Sequence, residues 1–259
     1  RLYDQYWAQF DDPWWKEEVG RGHAQRGRRD VLLSVWLTAA TGTEASVGHL
    51  YREAREYLDS GPPTEDVLRE LSTFASAYRV IYEPPVGENA LIAAAYERIR
   101  WLDITTAIPI LAWLRTVPVE SLPVADHVRA VRAVESWALR RSVAGWQTRG
   151  YGAHLTRALR EAKAAAEKEA DVADAVVVGL QGGVLDWPED ADMLEAFLTR
   201  KYYDAIAQHR IRLLLGSIDH QLRHEDQKEP PASIDYDSLQ IEHVMPKSWK
   251  EHWPIVHDD

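Results

Sequence analysis

Apolar residues recur at spacings of three and four along most of the chain, and strictly alternating stretches rich in Val, Ile and Thr are almost absent. That periodicity predicts helices rather than strands. Asp30 can cap a helix that runs to about Ala40, and a second helix is expected over 47–58, before the Gly61-Pro62-Pro63 break. Thr64, followed by Glu65 and Asp66, opens a third helix with Val67, Leu71, Phe74 and Tyr78 on one face, and Pro84-Pro85 lie beyond its end. A fourth starts after Asn89, passes through Ile92, Tyr96, Ile99 and Leu102, and meets a kink or break near Pro109. A fifth spans 124–143. A sixth runs from 154 to about 178 and contains the Ala-rich, charge-alternating stretch 158–170, a strong helix former with a solvated face. Gly182-Gly183 and Trp187-Pro188 separate it from a last long helix over about 188–222.

Beyond that the pattern changes. The polar stretch 226–233, with Pro230-Pro231 inside it, reads as a linker, and 238–244 reads as a short extended segment with Leu239 and Ile241 on one side and Gln240 and Glu242 on the other. The expected fold class is all-α: a multi-helix bundle of roughly eight helices with a short carboxyl-terminal extended segment. The expected organisation is a helical domain at 1–225, a linker at 226–237 and a distinct piece at 238–259.

Composition closes several classes of function. The chain has 259 residues and no cysteine, which removes disulfides, thiolate metal sites and thiol nucleophiles. The net charge of −11 opposes generic attraction to DNA or to an anionic membrane. The apolar stretches at 31–40 and 102–114 are too short or too interrupted to span a bilayer. One region departs from the acidic average: 121–160 carries seven arginines (129, 132, 140, 141, 149, 157 and 160) against Asp126 and Glu135. Such a strip is either a solvated surface paired with the acidic remainder or a phosphate-contacting patch beside Trp137, Trp146 and Tyr151. On the second reading Arg140, Arg141 and Arg149 are the DNA-binding candidates. Most of the eleven tryptophans lie in apolar helical contexts and read as packing anchors.

The residues that can carry chemistry are Leu239-Gln240-Ile241-Glu242-His243-Val244-Met245-Pro246-Lys247-Ser248-Trp249. An imidazole titrating near neutral pH is suited to take a proton from water attacking a phosphodiester, which makes His243 a candidate general base. Pro246 would end strand pairing and fix where that imidazole points, and Lys247 could contact a phosphate. Two further features have structural explanations. His220 and His224 lie one helical turn apart, as in zinc sites, but Gln221 stands where a metalloprotease has its glutamate base, and a helix carboxyl end also favours imidazolium. Gly179 to Gly183 lack the Lys-Ser/Thr of a phosphate loop and read as a turn.

An acidic residue and a histidine at the end of an apolar strand, followed by two residues and a proline, resemble the opening of the HNH-like nuclease domain of GmrSD-type, modification-dependent restriction endonucleases. Tyr202-Tyr203, Arg210, Ile211 and Leu213 to Leu215 resemble the helical lead-in of that family, and nothing in these residues separates its SspE-like members from the others. The resemblance implies a metal-dependent DNA endonuclease of phage restriction in the cytoplasm, with His243 as catalytic base, Glu242 as a metal ligand, Mg²⁺ or Mn²⁺ as cofactor and modified DNA as partner. It also implies further domains of the same parent chain, and a nucleotide only through an amino-terminal domain that has no counterpart before Arg1; a homodimer is an expectation independent of the resemblance. Sixteen residues follow His243, fewer than a ββα-metal finger needs. The chain is therefore expected to be a fragment that begins a truncated finger and is inactive alone. The competing expectation is a non-catalytic helical DNA-binding or inter-domain connector module.

Overall fold

The computed structural model describes residues 1–20, 25–182, 185–226, 234–242, 248 and 251. An aromatic lead-in, turned at Tyr3–Trp7 and Ala8–Asp11, reaches α1 (Pro13–Lys16), whose first turn is capped by the Asp12 carboxylate accepting from the Trp14 amide at 2.9 Å. Strands β1 (Glu18–Val19) and β2 (Arg26–Gly27) pair antiparallel with Glu18 opposite Gly27. There follow α2 (Arg28–Thr41), α3 (Leu50–Asp59), α4 (Thr64–Tyr82), α5 (Ala90–Trp101), α6 (Ile108–Thr116), α7 (Val124–Ala144), α8 (Tyr151–Glu167), α9 (Val172–Gln181) and α10 (Asp190–Thr199). These belong to one compact unit, Arg1–Thr199. A second unit, Arg200–Asp259, holds α11 (Tyr202–Ala205), α12 (Gln208–Asp226) and a 3-10 turn at Tyr236–Ser238. The chain is all-α apart from the small ladder, and no helix among the described residues is long and apolar enough to cross a membrane.

Where local chemistry sets the ends, the helices fall where the pattern puts them. Thr64 starts α4, and the Asn89 side chain accepts from the amides of Leu91 and Ile92 to start α5. Pro109 sits in the first turn of α6, where its missing N–H costs nothing, so the expected kink is a new helix. Three expectations are corrected. Asp30 lies inside the first turn of α2, where its charge meets the helix dipole, and Gly27 takes the cap position. The single helix expected over 154–178 is two, because Glu169 adopts a left-handed φ of 54° and the Asp171 carboxylate caps α9 through the Asp174 amide at 2.8 Å. The last long helix is three, α10 to α12, so the described residues hold twelve α-helices rather than about eight.

The return between α8 and α9 explains Gly179. A Cβ there would lie 2.6 Å from the Ala158 Cα, so the two helices approach to a distance that only glycine permits. His154 of α8 reaches across to the Leu180 carbonyl at 3.0 Å and stacks on Trp137 of α7. Trp137, Tyr78, Tyr96 and Ile81 are fully buried at the centre of this unit, and Trp14, Trp15, Phe10 and Tyr82 close the amino-terminal side around the guanidinium of Arg28, 3.7 Å from the Trp14 ring. Of the tryptophans expected as packing anchors, Trp14, Trp15 and Trp36 are buried, whereas Trp7, Trp101 and Trp113 are half-buried.

A second polar group is enclosed where α5, α6 and α7 meet: Arg115 pairs with Glu88 at 2.7 Å, and His127 sits beside both. Burial, reinforced by the Arg115 charge and partly offset by Glu88, pushes the His127 imidazole down to about 4. In the unfolded chain the same group takes a proton below its ordinary value of about 6.5. Between those values the unfolded state binds more protons, so stability contributed by neutral His127 is whole above about pH 6.5 and is lost as pH falls towards 4. Allowing for its partial exposure, the loss is roughly 1–2 kcal/mol. Urea unfolding midpoints measured from pH 4 to 7 should therefore slope less steeply in His127→Gln than in the wild type, and parallel curves would remove His127 as the cause.

Candidate functional site

Glu242 is exposed, has no ion-pair partner among the described residues, and stands at the end of an irregular stretch, residues 239–242, without a ladder. The extended segment expected over 238–244 therefore begins with the close of the Tyr236–Ser238 turn rather than with strand pairing. His243 and Lys247 lie outside the described residues, as does most of the expected linker.

The approach to Glu242 is built on α12. Gly216 lies in the middle of that helix, and a Cβ there would meet the Tyr236 ring at 2.9 Å, so the ring rests directly on helix backbone. The Tyr236 hydroxyl donates to the Asp219 carboxylate at 2.8 Å, and the Arg223 guanidinium donates to the same oxygen at 2.7 Å. Arg212 reaches the Leu239 carbonyl at 3.4 Å. Arg223 first, and Tyr236 second, hold Asp219 below the usual carboxylate range; burial and then the neighbouring carboxylate push the Tyr236 phenol up. The effect is to fix the chain three residues before Glu242. Pattern reading missed these residues, although one signal was present: a glycine inside a helix costs about 1 kcal/mol against alanine and calls for a packing reason.

His220 on α12 is exposed, and the His224 side chain lies outside the description. Among the described residues no three His, Asp or Glu side chains converge to hold a metal ion. For a divalent cation, Glu242 offers a hard oxygen donor of the right kind.

The arginines of 121–160 are used mainly inside the first unit. Arg140 donates to the Pro188 carbonyl at 3.0 Å and pairs with Asp190 at 2.6 Å. Arg141 is buried, donates to the carbonyls of Asp186 at 2.7 Å and Gln147 at 3.1 Å, and lies against Trp137, Trp146 and Tyr151. Arg129 pairs with Asp126 and Asp171, Arg157 donates to the Gly179 carbonyl, and Arg160 to that of Gly42. Arg132 and Arg149 are exposed without a partner among the described residues. Trp137 and Trp146 serve this internal arrangement as faces for Arg141.

Compared with known proteins, residues 187–259 match the family model described as GmrSD restriction endonucleases, C-terminal domain. No curated protein and no solved structure matches the chain. The match takes in α10 to α12, the Tyr236 anchor and the Glu242-His243 pair.

If the Gly216 seat holds the lead-in, Gly216→Ala should release it despite a gain of about 1 kcal/mol in helix propensity. Hydrogen exchange at the Leu239 amide, which donates to the Tyr236 carbonyl, should accelerate about tenfold, the equivalent of one lost hydrogen bond. Slower or unchanged exchange would show that the ring does not depend on the glycine.

Proposed function

We propose, from the premise that residues 187–259 are a GmrSD restriction endonuclease C-terminal domain, that this protein takes part in cutting modified DNA, as in the restriction of phage, and does so in the cytoplasm. The observation that carries the reading is the Glu242-His243 pair inside the matched residues, on a chain whose lead-in α12 fixes through Gly216, Asp219 and Arg223. His243 takes the proton of the water that attacks the phosphodiester, as an imidazole near its ordinary range can do at neutral pH. Glu242 supplies an oxygen ligand for Mg²⁺ or Mn²⁺, and the cation, when bound, offsets charge on the phosphate. Lys247 and Arg149 contact backbone phosphates, which positions the substrate without reading sequence. A homodimer and further domains acting with this one belong to the same proposal.

The full-length protein tests this. His243→Ala should abolish Mg²⁺- or Mn²⁺-dependent nicking of modified plasmid DNA while DNA binding, followed by gel shift, persists. Nicking at the wild-type rate would reject His243 as the base.

A second reading, a connector that joins domains without chemistry of its own, is favoured by one observation. Matched residues begin at 187, yet α10 packs on α7 within the first unit and is held there by Arg140. On this reading Arg140 and Arg141 fasten the entry to the nuclease segment and do not touch DNA. The two roles separate by charge reversal and by stability. Arg149→Glu should weaken DNA binding and lower the slope of log affinity against log salt by about one, with melting unchanged. Arg141→Ala should lower stability by about 3 kcal/mol or more, because carbonyls and aromatic faces lose their buried cation. A stable Arg141→Ala protein that has merely lost DNA affinity would return Arg141 to the DNA surface.

A further inference from the structure

The first unit has a half-open cleft of about 580 Å³ between α2, α5, α6, α8 and the β1–β2 ladder. Its deep walls are aliphatic: Val35, Ile99, Ile104, Ile108 and Pro109, all buried. Two hydroxyls interrupt them. Ser34 and Thr156 are each at least nine-tenths buried, line the cavity, and have no side-chain hydrogen-bond partner among the described residues. Thr38 beside them is different, since its hydroxyl donates to the Ser34 carbonyl at 2.9 Å and accepts from the Ala45 amide at 3.0 Å. Buried hydroxyls are ordinarily satisfied, and a pair left open towards one cavity marks where a ligand's polar atoms would sit.

The mouth carries two guanidiniums, Arg26 and Arg100, and two carboxylates, Glu44 and Asp103. Arg100 donates to the Ile81 carbonyl and has no carboxylate within ion-pair distance among the described residues. Asp103 holds a φ of 56° in the turn that ends α5, where its amide donates to the Arg100 carbonyl, and this turn sets its carboxylate at the mouth. The two guanidiniums and two carboxylates of the lining balance in formal charge, and the aliphatic walls add none.

We propose that this cavity binds an uncharged heterocycle of nucleoside size. The volume falls within the range of roughly 300–1,000 Å³ typical of small-molecule sites. A flat ring fits between the aliphatic walls, and its edge heteroatoms meet Ser34 and Thr156, whose hydroxyls donate or accept as needed. Amino or hydroxyl groups nearer the mouth find Asp103 and Glu44, and carbonyl groups find Arg100. A phosphorylated ligand is disfavoured because the two carboxylates oppose what the guanidiniums attract. This site uses none of the residues assigned to DNA cleavage, so its failure and the failure of that assignment are separate results.

Calorimetric titration of the full chain with deoxyadenosine, deoxyguanosine, deoxycytidine and thymidine, each beside its 5′-triphosphate, tests the proposal. At least one nucleoside should bind, and more tightly than its triphosphate. Ser34→Ala and Thr156→Val should each weaken that binding about three- to tenfold, the worth of one hydrogen bond, with melting temperature unchanged within a few degrees. Thr105→Trp, at an exposed position on the mouth, should block entry without disturbing the core. Absence of binding by all four nucleosides, tighter binding of the triphosphates, or affinity indifferent to the three substitutions would each overturn the proposal.

Discussion

The guanidinium of Arg141 is the point on which the best-packed part of the molecule turns. It is buried, it lies against three aromatic rings, and it donates to carbonyls on two different loops. A buried cation without a carboxylate is tolerable only where oriented dipoles and ring faces replace its water. Here they do so by bringing together the end of α7, the start of α8 and the segment that leads to α10. Trp137 faces Arg141 and also stacks on His154, which bonds to the end of α9. One charge thus organises four helices.

The same logic runs through the other basic residues. Helix carboxyl ends leave carbonyls without partners, and cations satisfy both the hydrogen bond and the dipole. Arg160 and Lys163 of α8 donate to the last carbonyls of α2, at Gly42, Ala39 and Ala40, and Arg157 donates to Gly179 near the end of α9. From sequence these residues read as a basic strip because spacing reports the helix on which a side chain starts and not the element it reaches. An arginine spans far enough to make those two answers different. Arg132 and Arg149 are what remains exposed once the internal partners are known.

Helix existence was legible almost everywhere, and helix ends were legible less often. Asn89 begins α5 by accepting from amides two and three residues on, and Thr64 opens α4 directly after Pro63, so the pattern finds both. The break between α8 and α9 has no glycine or proline to announce it; it sits inside an alanine-rich run whose propensity favours continuing the helix. What ends it is the left-handed Glu169 and the Asp171 cap of α9, and α9 then packs back on α8 at the Gly179–Ala158 approach. The three helices expected as one over 188–222 conceal their breaks in the same way, since Thr199 to Ala207 is also free of glycine and proline. For the site, the Glu242-His243 motif was legible because its information is contiguous. The Tyr236–Gly216–Asp219 anchor was not, because it joins positions on two sides of a linker.

The region matched to the GmrSD family model and the compact units of the fold do not begin at the same residue. Sequence similarity starts at residue 187, but the contacts divide the chain between Thr199 and Arg200. Separating the chain at 187 would strip Arg140 of both Asp190 and the Pro188 carbonyl and would expose the α7 face that Ala196 covers. It would leave Asp186, whose carbonyl accepts from Arg141, as the last residue before the cut, with that bond on a frayed end. A division after Thr199 preserves all of these interactions. The matched region therefore contributes its first helix to the stability of the first unit, and α10 is tied to α7 by the packing of Ala196 and by the two bonds of Arg140, to Asp190 and to the Pro188 carbonyl.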